Sequence, residues 1–303
     1  MTHLGMGIQS NHETLQAMRI ALICGGGILP KNVAQALLKK QSDFAVIRLA
    51  GEADTDLELP QSIPVTTVGW GQIGRFFRFL EDQKCSHVLA VGGVTRRPDF
   101  SSLKLDFGGI KVLPEAIATV IGGDDKVLSN VAAVFEKRGY QVIGVLDAAA
   151  EMSCPQGLVS RNAPADSAAA DIELATRAAA AAGSLDMGQG AVAADNRVIA
   201  MEGPEGTREM LRRVATIRQQ KRARWKSGQG VLAKRSKPGQ DLRFDVPVIG
   251  PDTVRQIKDA GLAGIVVEAG RVLLLEREEL LRVAEQESVF IQGIVFHPPA
   301  GQS

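Results

Sequence analysis

The sequence predicts an α/β fold in two domains. Its 303 residues are about twice the length of a typical domain. Short apolar runs alternate with stretches in which apolar residues recur at helical spacing, a pattern typical of strands joined by helices in a parallel sheet. Glycines or polar residues follow several of the apolar runs, as expected at the edge where open α/β sheets bind ligands.

The N-terminal half shows this alternation most clearly. Strands are predicted at 19–24, 44–49, 65–68, 87–94 and 141–146, and helices at 31–40, 71–84 and 124–138. The first predicted helix carries Val33, Ala34, Leu37 and Leu38 on one face. These units predict a Rossmann-like parallel-sheet domain over residues 18–150.

The C-terminal half predicts a mixed α/β domain. Residues 151–166 include two prolines and are interpreted as a linker, so the second domain covers 167–303. Helices are predicted at 166–183 and 205–224, with another opening at 251–254, and a strand is predicted at 230–234. Two pairs of apolar runs, 190–194 with 198–202 and 265–268 with 272–275, each flank a short turn. Antiparallel pairs are therefore expected here.

Composition excludes several classes of protein. The net charge of +1 and the aromatic content of 4% argue against a general nucleic-acid binder. Residues 1–17 form a polar N-terminal extension without the apolar stretch of a secretory signal, and no apolar run reaches the ~18 residues that span a bilayer. The three cysteines, Cys24, Cys85 and Cys154, lack metal-ligand spacing, which favours buried free thiols in a reducing cytoplasm.

One stretch of the chain, from Arg208 to Lys226, is strongly basic. A solvated helix face is the ordinary explanation of such a run. The alternative is contact with phosphate or with an anionic membrane surface.

The turn Gly25-Gly26-Gly27 joins the first strand to the first helix. Amide groups at such a turn and at the helix N-terminus can bind phosphate, although a tight turn alone also favours glycine. The dinucleotide fingerprint is incomplete, because Pro30 stands where its third glycine belongs. Glu52 nevertheless lies near the place of a ribose-binding acid.

Three further turns precede helices or strands. Asp124 and Asp125 follow two glycines, where they favour helix capping over metal binding. Glu202 to Thr207 joins a strand to a helix, with Thr207 as the expected cap and a phosphate-binding wall as the alternative. Leu185 to Gln189 precedes a strand in the same way.

The segment from Lys237 to Asp245 is the densest in chemistry. Lys237, Gln240, Asp241, Arg243 and Asp245 fall within nine residues. Cations balance phosphate charge, and carboxylates bind Mg²⁺ or orient water. The four histidines are scattered and GxSxG is absent from the sequence, so any hydrolysis is expected to rely on carboxylates, a hard metal and water.

Seven motifs, taken in order, resemble one known family. They are Gly25 to Pro30, Gly92 to Val94 with Arg97-Pro98, Gly123 to Asp125, Leu185 to Gln189, Glu202 to Thr207, Lys237 to Asp241 and Ile249 to Thr253. Together they are similar to the UDP-2,3-diacylglucosamine pyrophosphatases of lipid A biosynthesis found in alphaproteobacteria and other Gram-negatives. The resemblance covers about residues 18–290.

The resemblance implies a two-domain enzyme with its substrate between the domains. The implied reaction is Mg²⁺-dependent hydrolysis of UDP-2,3-diacylglucosamine to UMP and 2,3-diacylglucosamine 1-phosphate. It implies that Asp241 is the essential aspartate, with Lys237 and Gln240 as catalytic partners and Asp241 and Asp245 as metal ligands. The expected substrate-binding residues are Gly26, Gly27, Ile28, Leu29, Gly93, Asp124, Gln189, Glu202, Gly206, Thr207 and Arg243. The chain departs from the family at Arg208, where an aspartate is frequent, and Arg208 is not counted as a ligand.

The expected partner is this lipid substrate, with no nucleic acid. The acyl chains of the substrate imply a cytoplasmic enzyme that is peripheral to the inner membrane and makes transient contact with its inner leaflet. A homodimer is left open. Two alternatives remain at this point: a nicotinamide- or flavin-dependent oxidoreductase, and a non-catalytic nucleotide-sugar-binding protein.

Overall fold

A computed structural model describes residues 19–53, 57–94, 124–226 and 228–296, with the backbone alone for residues 124–127. The chain forms two compact units. The first comprises Met1–Ala149 and Asp241–Phe244, and the second comprises Ala150–Gln240 and Asp245–Ser303. Residues Asp241–Phe244 therefore belong to the first unit, although the chain on either side of them belongs to the second.

A parallel sheet forms the centre of the first unit. Its strands are β1 (Ile20–Cys24), β2 (Phe44–Leu49), β3 (Val65–Val68), β4 (His87–Val91) and β5 (Gln141–Val142). They are arranged in the order β3-β2-β1-β4-β5, and each neighbouring pair is parallel. This confirms the predicted parallel-sheet α/β unit. Every residue of the central strand β1 is buried, as expected for a strand covered on both faces.

Helices connect these strands. They are α1 (Leu29–Lys39), α2 (Ile73–Asp82), α3 (Asp124–Glu136) and the short α4 (Val145–Ala148). Apolar residues of α1 are buried at helical spacing, as predicted from Val33, Ala34 and Leu37. The mainly aliphatic core also includes a group of aromatic rings with centroids 5.4–6.5 Å apart, namely Phe76, Phe77, Phe135 and Tyr140.

A mixed sheet forms the centre of the second unit. Its strands are β6 (Gly157–Leu158), β7 (Gly190–Ala194), β8 (Arg197–Met201), β9 (Val231–Lys234), β11 (Gly264–Glu268) and β13 (Phe290–Ile294). The order is β6-β13-β11-β9-β7-β8. The three central strands β13, β11 and β9 are parallel, whereas β6, β7 and β8 each pair antiparallel. The predicted mixed α/β unit is confirmed.

The remaining elements of the second unit pack around this sheet. They are α5 (Ala169–Ser184), α6 (Gly206–Gln219), α7 (Pro251–Asp259), α8 (Arg277–Gln286) and a parallel strand pair, β10 (Val248–Ile249) with β12 (Leu273–Leu274). The predicted hairpin between β7 and β8 turns at Asp195 and Asn196, both with positive φ. The buried Asp171 carboxylate accepts the amides of both turn residues, at 3.2 and 2.8 Å.

Three local expectations differ from the structure. The strand expected over 141–146 ends at Val142, because the Gly144 amide donates to the Asp147 carboxylate and the chain enters α4. The runs 265–268 and 272–275 do not pair with each other, since β11 pairs with β9 and β13 while β12 pairs with β10. Within the expected linker 151–166, β6 pairs with β13 and so contributes to the second sheet.

The three cysteines are free and buried, as predicted. Burial raises the pKa of the Cys24 thiol to about 12 and the pKa values of Cys85 and Cys154 to about 11. All three thiols are therefore protonated and unreactive at neutral pH. None of the helices in the described part of the chain is long and apolar enough to span a membrane.

Candidate functional site

Two glycine turns meet at the carboxyl edge of the first sheet. Gly25 to Gly27 follow β1, and Gly92 and Gly93 follow the neighbouring β4. The Gly26 amide donates to the Gly93 carbonyl at 2.7 Å, and the Gly93 amide donates back at 2.9 Å. A Cβ atom on Gly25 would lie 2.5 Å from the Gly93 oxygen, so the two backbones approach this closely only because glycine stands there.

The predicted phosphate-binding residues of the first unit fall into two groups, those whose amides are already hydrogen-bonded and those at the start of α1. The amides of Gly26 and Gly93 are used by the bridge between the two turns. Ile28 is the N-cap of α1 and Leu29 is its first residue, so they lie where a helix presents amides without intrahelical partners. Any anion at this edge would therefore meet Gly27, Ile28 and Leu29 first.

Asp124, another predicted substrate-binding residue, is the first residue of α3. The two glycines before it lie outside the described residues, and so does its side chain. Whether Asp124 caps the helix or faces a ligand stays a prediction.

Asp241 forms a tight ion pair with Arg243. The Arg243 Nε atom donates to Asp241 Oδ1 at 3.0 Å and to Oδ2 at 3.2 Å, and Nη2 donates to Oδ2 at 2.7 Å. The Arg243 amide adds a bond of 3.1 Å to Oδ1. A second carboxylate, Glu136 at the end of α3, accepts from Arg243 Nη1 at 3.0 Å. Arg243 thus joins two carboxylates of the first unit, while Phe244 packs against its core.

This pairing sets the charge state of both groups. Hydrogen bonds from the Arg243 side chain are the main reason that the pKa of Asp241 is lowered below its usual value, and partial burial opposes them. The same hydrogen bonds raise the pKa of Arg243 still further. Both side chains are therefore charged at neutral pH.

The two predicted metal ligands, Asp241 and Asp245, both accept hydrogen bonds from protein side chains. Carboxylate oxygens suit a hard cation such as Mg²⁺. Both oxygens of Asp241 already accept from Arg243, however, and Asp245 Oδ2 accepts from Gln240 Nε2. Among the residues described, no three His, Cys, Asp or Glu side chains are grouped to hold a metal ion. A cation at Asp241 would require Arg243 to release at least one oxygen.

In the second unit, several predicted residues meet at one edge of the sheet. Strands β8, β9 and β11 all end at this edge, because β7 runs antiparallel to both β8 and β9. Glu202 directly follows β8, and Lys234 and Glu268 are the last residues of β9 and β11. Gln189 immediately precedes β7 at the same edge, and its carbonyl accepts the Arg235 amide at 2.9 Å.

Thr207 at the start of α6 does not cap the helix as predicted. The N-cap is Glu205, without a side-chain cap, and Gly206 is the first helical residue. Instead the Thr207 hydroxyl donates to Glu202 Oε2 at 3.0 Å and accepts from Lys234 Nζ at 2.9 Å. The capping expectation is wrong because two buried charged side chains use this hydroxyl.

The segment from Lys237 is held by its own side chains and by the loop before β7. Lys237 Nζ contacts Asp186 Oδ1 at 2.6 Å, and the Lys237 amide donates to Gln240 Oε1 at 2.8 Å. Gln240 in turn donates to Asp245. Gln240 therefore holds the chain on both sides of Asp241–Phe244, at Lys237 before this segment and at Asp245 after it.

Three charged residues of these clusters were not predicted from the sequence. They are Glu136, Lys234 and Glu268, whose carboxylate accepts the Ser236 amide and hydroxyl at 2.9 and 2.6 Å. Lys234 could have been predicted as a site residue, because it ends the otherwise apolar strand Val231 to Lys234 and a lysine is rarely buried without partners. Glu136 had no comparable indication, because its partner lies 107 residues away.

Glycine turns and a helix N-terminus at the carboxyl edge of the first sheet, and a buried lysine at that of the second, are typical of an α/β protein that binds an anionic ligand. Both halves of the chain match models of a single family. Residues 19–152 match the LpxI N-terminal domain and residues 155–292 match the LpxI C-terminal domain. The chain belongs to the LpxI family, and the family expected from the sequence motifs is confirmed.

A curated relative extends this match over nearly the full length. It is the UDP-2,3-diacylglucosamine pyrophosphatase LpxI of Caulobacter vibrioides, 41% identical over 276 residues, which are 91% of this chain and 97% of the relative.

Two solved structures with NAD show only a distant similarity. Bordetella bronchiseptica WbmG aligns with a TM-score of 0.25 at 18% identity, over 41% of this chain and 35% of its own. Thermus thermophilus UDP-glucose 4-epimerase aligns with a TM-score of 0.28 at 12% identity, over 94% of this chain and 88% of its own. These values support no inference about NAD.

Proposed function

We propose that this protein hydrolyses the pyrophosphate bond of UDP-2,3-diacylglucosamine, releasing UMP and 2,3-diacylglucosamine 1-phosphate. The observation that carries the proposal is the match of both domains to one family, with 41% identity to a pyrophosphatase of that name over nearly its full length. An oxidoreductase is not favoured, since the glycine turn lacks the third glycine of the dinucleotide fingerprint. A binding protein without activity is not favoured by the relative's name either.

The described residues suit a reaction on a pyrophosphate. Such a reaction depends mainly on positioning and on neutralising charge, with little covalent help from the protein. In the second unit, Lys237 supplies positive charge, and the N-terminus of α6 at Gly206 and Thr207 adds the positive end of its helix dipole. Arg243 supplies a cation in the first. We propose that each of these groups, taken within its own unit, can bind a phosphate.

Asp241 is proposed as the group that activates or orients the attacking water. In the structure its carboxylate is held by Arg243. Two oxygens of a phosphate group form an equally good bidentate partner for a guanidinium. We therefore propose that substrate phosphate takes over Arg243, which frees an oxygen of Asp241 to accept a hydrogen bond from water. Glu136 keeps Arg243 anchored during this exchange.

Mg²⁺ is proposed as the cofactor, with Asp241 and Asp245 as donors. The support is chemical: hard cations prefer carboxylate oxygens. When bound, Mg²⁺ would neutralise the charge of the pyrophosphate.

Membrane contact is also part of the proposal, because the substrate carries acyl chains. Seven basic residues of the stretch from Arg208 to Lys226 are exposed, namely Arg208, Arg212, Arg213, Lys221, Arg222, Arg224 and Lys226. Such a surface attracts anionic lipid headgroups. We propose a cytoplasmic enzyme that is peripheral to the inner membrane and meets its inner leaflet through this surface.

The test is UMP release from UDP-2,3-diacylglucosamine by the purified protein, with Mg²⁺ and with EDTA. The proposal predicts UMP in the presence of Mg²⁺ and a large loss with EDTA. Binding of the nucleotide-sugar without UMP under any metal would favour the non-catalytic alternative. A change in absorbance with added NADH or FAD would favour the oxidoreductase.

A further inference from the structure

Lys234 is an unusual residue for its position. It ends β9, and all four residues of that strand are buried. The whole residue is only 8% exposed. Burying an ammonium group is costly unless it is paired and hydrogen-bonded. The position therefore requires a compensating set of partners, and these partners identify what the lysine does.

Those partners are polar groups from three other parts of the second unit. Lys234 Nζ donates to the Thr207 hydroxyl at 2.9 Å, and that hydroxyl donates to Glu202 Oε2 at 3.0 Å. Burial lowers the pKa of Lys234, while the carboxylates of Glu202 and Asp245 raise it. The lysine is thus linked by hydrogen bonds to the first turn of α6 and, through Thr207, to the residue after β8.

The backbone leaves room for this cluster. A Cβ atom on Gly190, at the start of β7, would lie 2.7 Å from Glu202 Oε2. Any larger residue at position 190 would require the Glu202 carboxylate to shift from this position. Packing alone does not require these charges, since replacing a whole buried ion pair by apolar side chains is often no less stable. The polar arrangement thus has a role beyond packing.

We propose that Lys234 is a positioning residue for pyrophosphate cleavage. It fixes the first turn of α6 through Thr207 and Glu202. It holds this turn without touching the substrate, so that the start of α6 is preset for the phosphates. This inference rests on the proposed function and extends it to a residue outside the sequence motifs.

The test is a double-mutant cycle on UMP release, with kcat and KM measured separately. Lys234→Met removes the ammonium group at similar length, and Thr207→Val removes the hydroxyl at similar shape. We expect Lys234→Met to lower kcat about 100-fold with a smaller change in KM, since misplacement of reacting groups by about 1 Å costs that much. Because both residues act through one contact, the double variant should be no slower than Lys234→Met.

Two further variants separate positioning from folding. Thr207→Ser keeps the hydroxyl and should recover activity to within a few-fold of wild type. Lys40→Met removes another lysine hydrogen bond, 2.7 Å to the Ala148 carbonyl in the first unit, and should leave kcat unchanged. If Lys234→Met does not fold, the contrast between Thr207→Val and Thr207→Ser still decides the matter.

Wild-type turnover by Lys234→Met, or multiplicative losses in the double variant, would overturn the inference while leaving the proposed function intact. A wild-type protein that releases no UMP would instead refute the proposed function, and this inference with it. Equal loss in Thr207→Val and Thr207→Ser would also count against it, since only the hydroxyl is invoked.

Discussion

Replacing Arg243 with methionine should destabilise the protein, mainly because the Asp241 carboxylate loses its positively charged partner. The substitution removes the hydrogen bonds from the guanidinium to Asp241 and its contact with Glu136, while keeping much of the side chain's apolar length. Asp241 then keeps the bond from the amide of residue 243 but loses its charge partner. Its lowered pKa should return toward the ordinary value of 3.8.

The size of the effect follows from exposure. The side chains of Asp241 and Arg243 are 20% and 36% exposed, between a surface pair and a buried one. Exposed pairs contribute up to about 1 kcal/mol, and breaking a buried pair costs about 3–5 kcal/mol. We expect Arg243→Met to lower the free energy of unfolding by about 2 kcal/mol at pH 7.

The assay is urea unfolding at pH 7 and at a series of pH values down to about pH 3. Folding lowers the pKa of Asp241, so its stabilisation is present above about pH 3.8 and is lost as pH falls through the folded value. The difference between wild type and variant should therefore narrow below pH 3.8. Arg282→Met is the matched control, since Arg282 holds Glu279 with a similar two-bond geometry but at 54% and 38% exposure.

The control should be destabilised less than Arg243→Met, because its ion pair is exposed to solvent. If Arg243→Met were no more destabilised than Arg282→Met, the Asp241–Arg243 pair would contribute no more to the free energy of unfolding than an exposed ion pair does. A difference from wild type that stayed constant down to pH 3 would also contradict the assignment to the Asp241 carboxylate.

Two other predictions concern the glycine turns and the basic surface. Gly25→Ala should lower the free energy of unfolding by about 1–3 kcal/mol, because the added Cβ would lie 2.5 Å from the Gly93 oxygen. A variant with the same free energy of unfolding in urea as wild type would refute this close approach. Replacing Lys221, Arg222 and Arg224 with glutamine should weaken sedimentation with phosphatidylglycerol vesicles about 100-fold, at roughly fivefold per cation, and leave the weak binding to neutral vesicles unchanged. Equal binding to both kinds of vesicle by the wild type would refute the proposed membrane surface.

Much of the fold could be predicted because its elements are encoded locally. The run Ile20 to Cys24 is apolar throughout, and the helix after it has a single apolar face. The pairing of short strands is not local. The strand β12 pairs with β10 across α7 and β11, and the sequence near residue 273 indicates no partner. The run 141–146 is apolar enough for a strand, yet one hydrogen bond from Gly144 to Asp147 turns it into a helix.

The sequence indicates which residues belong to the candidate site, but it does not indicate which of them contact each other. Lys237, Asp241 and Arg243 are prominent because charged residues cluster in that segment. Thr207 has the ordinary pattern of a helix cap, and only the folded edge of the sheet brings Glu202 and Lys234 to its hydroxyl. The role of a polar side chain in such a cluster depends on partners from other strands, which local sequence does not specify.

We propose that pyrophosphate hydrolysis by this chain depends on Asp241. The most direct measurement is UMP release from UDP-2,3-diacylglucosamine by wild type, Asp241→Ala and Asp252→Ala, with folding checked by circular dichroism. Asp252 is the matched control, an exposed aspartate paired with Arg255. We predict that Asp241→Ala folds but loses at least about 100-fold in rate, while Asp252→Ala releases UMP like wild type. Wild-type release by a folded Asp241→Ala would contradict the account.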